Sequence, residues 1–465
     1  MAEKSKAELL KEELCYKPKP AGDQMSDIQY EAAEKFAVGY KAFIDAAKTE
    51  REAVAYAAML AEKAGYKPFE AGKDYKAGDK VYQNVRGKAM IMATLGKKPL
   101  GEGVHIVASH IDSPRVDLKQ RPLYEEGQLA LLKTHYYGGI KKYQWTAIPL
   151  ALHGIIIKKD GSKLNIAIGE NESDPVFTIT DLLPHLGKDQ LDRKLRDGIR
   201  GEELNILVGS RPFKDDKASE RVKLRILQIL SEKYGVVEAD FLSAELMMVP
   251  AFKARDIGFD ASMIGAYGHD DRVCAYTSLV AEMETKKPEY TTVTVFADKE
   301  EVGSDGNTGL HSEFLRYFLT DLAAPHGVSV HTLLTNSRCL SADVSAAVDP
   351  TFPEVTEKNN SAYINYGVAI MKYSGSGGKG GTNDASAEFM GYVRTMLDEA
   401  GVLWQTCELG KVDQGGGGTV AKFVANIGAE VIDIGVPVLS MHAPFEVISK
   451  ADMYQAYLAF KAFYQ

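Results

Sequence analysis

Five short clusters of imidazole and carboxylate side chains stand out as the residues able to do chemistry. They are His110-Ile111-Asp112-Ser113-Pro114, His269-Asp270-Asp271-Arg272, Asp298-Lys299-Glu300-Glu301, Ser341-Ala342-Asp343 and Met441-His442-Ala443-Pro444. Four of them directly follow apolar stretches that read as strands, and the fifth precedes a helix. Open α/β sheets gather their ligands at the carboxyl ends of the strands, so the four clusters are expected to converge on one edge, where the fifth joins them. Two histidines with several carboxylates and no thiolate suit zinc, with manganese or cobalt as alternatives. A pair of divalent ions needs one imidazole and one terminal carboxylate each, plus a carboxylate shared between them. His110, Asp270, Glu301, Asp343 and His442 meet that requirement and leave Glu300 free. A free carboxylate beside the metals is what a general base requires. Asp112 lies two residues after His110. On a strand it would share a side with His110 and accept from its second ring nitrogen, fixing the tautomer of the ligand.

Each cluster alone has a plainer reading. A histidine after a strand is most often structural, and a Glu-Glu pair is most often a solvated surface. Asp-Asp-Arg before a helix is most often a cap with an ion pair. Their joint arrangement at one sheet edge carries the inference.

The elements that must hold these residues alternate. Helical periodicity runs over 27–65, with Gly65 as a stop. Apolar strands are expected at 88–93, 105–109, 292–297, 331–334 and 430–434, and helices at 273–285, 311–322, 384–400 and 451–464. This pattern predicts an α/β fold with a mixed sheet flanked by helices. The stretch 116–249 differs. It holds short alternating pieces at 154–158 and 164–168, charged loops and one helix at 218–234. It reads as a β-rich domain inserted into a discontinuous one formed by 1–115 and 250–465, because every candidate ligand lies outside it. Glycine-rich loops occur at 374–381 and 415–418, each followed by helical sequence.

The 465 residues carry 45% hydrophobic and 26% charged side chains, enough apolar material for a large core without cross-links. A net charge of −9 speaks against a nucleic-acid or membrane surface as partner. The four cysteines, Cys15, Cys274, Cys339 and Cys407, form no CxxC pair. With a charged, amphipathic start to the chain and no long apolar run, they predict a cytoplasmic protein.

Taken together, ASHIDSPR (108–115), DDR (270–272), DKEEVGS (298–304), SADV (341–344) and VLSMHAPFE (438–446) resemble the M18 family of metallo-aminopeptidases, the aspartyl aminopeptidase group, and its bacterial branch in particular. The resemblance implies removal of the N-terminal residue of peptide substrates at a two-metal site. It implies metal ligation by His110, Asp270 (bridging), Glu301, Asp343 and His442, with Glu300 as the base. It also implies a zinc-peptidase domain interrupted by a β-rich dimerisation domain, a cis peptide at Asp270–Asp271, and assembly into a tetrahedral dodecamer. Animal members of the family place a histidine after a Tyr-Gly-Gly-Gly-type stretch and supply it to a neighbour's site. Here that region reads His135-Tyr136-Tyr137-Gly138-Gly139-Ile140-Lys141-Lys142-Tyr143, and Tyr143, Lys142 or His135 is left to stabilise the oxyanion. An acidic side-chain preference calls for a cation, for which Lys379 in the glycine-rich loop is the candidate. The segment 413–419, with Gly416 at its centre, is expected to offer amides to the substrate. Two other readings stand beside this one. The same donors serve carboxypeptidases and deacylases of small amides, and a shell-forming protein with a vestigial site would need no turnover at all.

Overall fold

The computed structural model describes residues 4–465. A nine-stranded mixed sheet holds the site. Its four central strands, Thr291–Ala297, Val104–His110, Arg338–Ala342 and Glu430–Gly435, run parallel in that spatial order. The first two are buried along their whole length, as parallel strands covered on both faces must be. Successive side chains alternate between two cores. Val107, Phe296 and Leu340 meet the helices Asp27–Ala46, His269–Glu284 and Lys450–Phe463 on one face. Ile106, Val295 and Cys339 meet Phe314–Ala323 and Ala421–Asn426 on the other.

Between Val104–His110 and Thr291–Ala297 the chain leaves this sheet. It builds a seven-stranded, wholly antiparallel sheet from strands lying between Arg115 and Pro250, with its own core around Trp145, Leu150 and Met248. A third, five-stranded sheet joins Met263–Ala266, Glu446–Ser449 and Pro437–Leu439 with Arg255–Ile257 and Ser345–Ala346.

Three sequence expectations change. Residues 331–334 are not a strand but lie in the helix Val330–Thr335, capped by Ser329, whose hydroxyl accepts from the His331 amide; the strand is Arg338–Ala342. A short apolar run is ambiguous in period, and here the cap decides. The single helix expected over 27–65 is two, Asp27–Ala46 and Glu50–Lys63. Thr49 and Glu52 form a capping box that starts the second, and the Lys48 ammonium at the break donates to the carbonyls of Pro250 and Phe252. The last apolar stretch also divides, into Glu430–Gly435 of the nine-stranded sheet and Pro437–Leu439 of the five-stranded one.

Candidate metal centre

The carboxyl ends of three parallel strands supply three of the clusters, and a helix start and a turn beyond the five-stranded sheet bring in the other two. His110 is the last residue of its strand, Glu300 and Glu301 begin a single turn of 3-10 helix just past Thr291–Ala297, and Asp343 directly follows Arg338–Ala342. Asp270 enters from the start of the helix His269–Glu284, where its backbone and that of Asp271 are non-helical and the peptide between them is cis. It is therefore no cap; the cap position is Gly268, with a positive φ. His442 lies in the turn after Pro437–Leu439 and also takes a positive φ of 65°, a conformation that bulky residues hold only where their surroundings demand it.

The donor atoms form three groupings whose members lie within 4.8 Å of one another: His110, Asp270 and Asp343; His110, Glu300 and Glu301; and Asp270, Glu301 and His442. Asp270 faces both ways. Its Oδ1 is 3.1 Å from His110 Nε2 and its Oδ2 is 3.1 Å from His442 Nε2. Asp343 Oδ1 stands 3.8 Å from His110 Nε2, Glu301 Oε2 stands 3.6 Å from His442 Nε2, and Glu300 Oε2 stands 4.0 Å from His110 Nε2.

Both imidazoles are set for ligation through Nε2. His442 Nδ1–H donates to the carbonyl of Gly139 at 2.8 Å, and His110 Nδ1–H donates to the backbone carbonyl of Asp112 at 3.0 Å. The Asp112 carboxylate is close to that nitrogen as well, with Oδ1 at 3.3 Å, and it is further held by the amides of Glu300 and Glu301. The tautomer of His110 is thus set by the main chain of Asp112 at least as much as by its side chain.

Charge is concentrated here. Burial and the neighbouring carboxylates Asp343, Asp112 and Asp270 push the Glu300 carboxyl up to about 8, against the pull of His110. Burial and Asp270 raise Glu301, and burial raises Asp343. Burial alone would lower the His442 imidazolium, but Asp270 and Glu301 outweigh it and push it up to about 10. Glu301 Oε1 is buried without a hydrogen-bond partner. Buried carboxylates in this number, one with an orphaned oxygen, fit a divalent cation as their counter-charge.

The family model for aminopeptidase I zinc metalloproteases (M18) matches residues 43–464. The chain belongs to the M18 family of zinc metallo-aminopeptidases. A probable M18 family aminopeptidase 1 of Clostridium acetobutylicum is 52% identical over 455 residues, 96% of this chain and 97% of that one. The crystal structure of the M18 aminopeptidase of Thermotoga maritima is 44% identical and superposes with a TM-score of 0.93, over 97% of this chain and 99% of that one. The S. cerevisiae mApe1 dodecamer, 22% identical, shares the fold at a TM-score of 0.75, over 93% of this chain and 96% of that one. The activity is accordingly that of a peptide hydrolase acting at the N-terminus with a divalent metal.

Several residues of this aminopeptidase site lie in stretches singled out in the sequence, but their roles are not legible there. Glu446 is buried and accepts from the backbone amides of two expected ligands, His442 at 2.7 Å and Asp270 at 3.1 Å. The Ser113 hydroxyl donates to the Asp270 carbonyl at 2.7 Å and is itself reached by Arg272 Nη2 at 2.9 Å. Tyr137 donates to Asp112 Oδ2 at 2.7 Å. Gly138 favours glycine, because its φ of 73° strains any side chain and a Cβ there would crowd the Glu301 side chain at 3.2 Å. A Glu446-type anchor shows only in three dimensions, whereas the Gly138-Gly139 pair was visible as a motif without a role.

The remaining sequence candidates lie apart from these contacts. Among the described residues no hydrogen bond or ion pair joins Tyr143, Lys142 or His135 to the ligands. Tyr143 is exposed in the turn Lys142–Trp145, Lys142 Nζ lies over the Tyr136 ring, and His135 Nδ1–H donates to the Tyr136 carbonyl. Lys379 Nζ pairs with Asp384 at 2.9 Å and lies 3.6 Å from the centre of the Tyr373 ring. The two glycine-rich loops pack on each other, and a Cβ on Gly416 would strike the Gly375 carbonyl at 1.8 Å. Glycine at 416 therefore has a packing reason of its own.

Proposed function

We propose that the chain removes N-terminal residues at a site of two divalent ions, with Glu300 as the general base. The observation that carries this reading is the two-way orientation of Asp270, whose carboxylate oxygens address separate imidazoles. His110 and Asp343 would hold one ion and His442 and Glu301 the other, with Asp270 shared. The ions, when bound, would polarise the scissile carbonyl and make a water acidic enough to attack it near neutral pH.

The chain's own residues do the rest. Glu300 takes the proton from the attacking water and passes it to the leaving amide nitrogen, and the second water proton follows, so that one peptide bond and one water become an ammonium and a carboxylate. The Glu300 amide donates to Asp112 Oδ1 at 3.1 Å, which holds the turn that presents this base. The exposed turn carrying Lys142 and Tyr143 is assigned to the oxyanion in a neighbouring subunit, consistent with an oligomer of the kind seen for the yeast dodecamer. An acidic N-terminal side chain would be recognised by Lys379, exchanging Asp384 for the substrate carboxylate beside Gly416; a neutral one needs no exchange.

The test is Glu300→Gln assayed on aminoacyl-anilides, with metal analysis of the same sample. A loss of kcat of at least about 100-fold with metal retained is expected, the low end for removal of a catalytic acid–base. Normal turnover in Glu300→Gln would overturn the assignment. Cleavage of N-blocked peptides would favour a deacylase or carboxypeptidase instead.

A further inference from the structure

The seven-stranded sheet reaches the metal centre of its own chain through the end of the strand Leu129–Tyr137 and the two glycines after it. We propose that Tyr137 is a positioning residue of this centre, clamping Asp112 so that this one residue, through its carbonyl and its carboxylate together, fixes both the His110 ligand and the turn that carries Glu300. The proposal rests on the metal and base assignments given above.

The contacts form a closed set. Asp112 is fully buried, and its side chain meets four groups: the Tyr137 hydroxyl at 2.7 Å, the Glu300 amide at 3.1 Å, the Glu301 amide at 3.3 Å and His110 Nδ1 at 3.3 Å. The hydroxyl is the shortest of these and the only one that comes from the seven-stranded sheet. Its position is itself determined. Tyr137 pairs in register with Arg115, the residue three beyond Asp112, and the Arg115 guanidinium lies 4.1 Å from the centre of the Tyr137 ring. Arg115 is held in turn by Glu50 at 3.1 Å and Asp117 at 2.8 Å. The ring is thereby fixed by a cation that has its own partners, and the phenol is left to donate in one direction.

Two residues further on, the Gly139 carbonyl accepts from His442 Nδ1 at 2.8 Å. One short stretch thus reaches both ends of the centre, His110 through Asp112 and His442 directly. A buried carboxylate that loses one donor is free to turn toward its remaining partners, and here those partners are a ligand and the backbone of the base. A tyrosine that served only as packing would need its ring on Arg115, not its hydroxyl on Asp112.

Tyr137→Phe keeps the ring and removes the hydroxyl, so the fold is expected to survive. In the full-length protein, kcat should fall roughly 10- to 100-fold with little change in KM, and the zinc affinity of the metal-free protein should fall about 10-fold, the usual effect of losing a partner behind a ligating histidine. The melting temperature of the metal-free protein should fall only by the few degrees that one lost hydrogen bond to a buried carboxylate costs. The deciding measurement is a cycle with Asp112→Asn, read in zinc affinity as well as in kcat. If Tyr137 acts through Asp112, the double variant is no worse than Asp112→Asn alone. Losses that multiply in the double variant, or full zinc affinity and turnover in Tyr137→Phe, overturn the proposal. Zinc affinity requires no assumption about the base, so a failure of the Glu300 assignment would show in Glu300→Gln while leaving this cycle readable.

Discussion

Two buried clusters of charge in this molecule have opposite characters. At the candidate metal centre Asp112, Asp270, Glu300, Glu301 and Asp343 surround only His110 and His442, and three of these carboxyls are pushed up by burial and by one another. Where the seven-stranded sheet meets the first two long helices, a second cluster is matched from within. The Lys48 ammonium is 2.7 Å from Glu170 Oε1, His153 Nε2 is 2.9 Å from the same oxygen, Lys253 Nζ is 2.5 Å from Glu170 Oε2, and His153 Nδ1 is 2.7 Å from Glu52 Oε1. Burial works to raise Glu170, yet His153 and Lys48 hold it down at about 2. The first cluster has a surplus of one sign and calls for cations from outside. The second is complete and joins two parts of the chain. Buried ionic groups therefore read as a ligand site or as a joint according to whether the protein supplies the counter-charge itself.

The contrast is broken most severely at Asp270. Asp270→Asn removes the shared charge, and metal analysis with anilide kinetics should show lost metal and a fall in activity on the order of 1000-fold, about 4 kcal/mol of transition-state stabilisation. A variant that kept full metal content and turnover would remove the bridging role. Chelation should act on the same cluster. Zinc restored at about 1000 times its Kd should stabilise the metal-free protein by about 4 kcal/mol in denaturant titrations, and no shift would mean that the carboxylates do not need the ion.

The joint should respond in stability and not in metal content. Glu170→Gln leaves Lys48 buried with only carbonyl partners, and a loss of about 3 kcal/mol in chemical denaturation is expected, typical of breaking a buried pair. Its pH dependence has a definite sign. Glu170 is depressed from 4.5 to about 2, so its contribution is full above 4.5 and is lost as pH falls toward 2. His153 is raised above 6.5, since burial is outweighed by Glu170 and Glu52, so its contribution is full below 6.5 and fades as pH rises through its folded value. Stability owed to the joint should peak between these limits, and Glu170→Gln should flatten the acid side; an unaltered acid limb would remove Glu170 from it. The smallest effect belongs to Lys379. Lys379→Ala should lower kcat/KM for an Asp-anilide relative to a Leu-anilide by about 10-fold, or about 1.4 kcal/mol, and an unchanged ratio would take selectivity away from this loop.

The candidate ligand types could be singled out because chemistry limits them. Few residue types bind zinc, and those following apolar stretches had to meet at the strand ends. The helix that replaced the expected strand at 331–334 was not legible, because His-Thr-Leu-Leu is too short to define a period and the Ser329 cap lies outside it. The break at Lys48 was written locally as Thr49-x-x-Glu52, but long periodicity on both sides concealed it.

The sequence by itself determined the α/β alternation, the family, and the identity of His110, Asp270, Glu301, Asp343, His442 and Glu300 as the set to be placed, since each depends on residue type and on order along the chain. Only the tertiary structure decided which oxygen of Asp270 faces which imidazole, that Glu446 ties the backbones of two candidate ligands together, and that Tyr137 and Gly139 reach the candidate centre from another sheet. The physical reason is distance along the chain. Asp112 and Glu300 are far apart in sequence, as are Gly139 and His442, and their hydrogen bonds exist only once strand pairing has brought them within 3.1 Å and 2.8 Å.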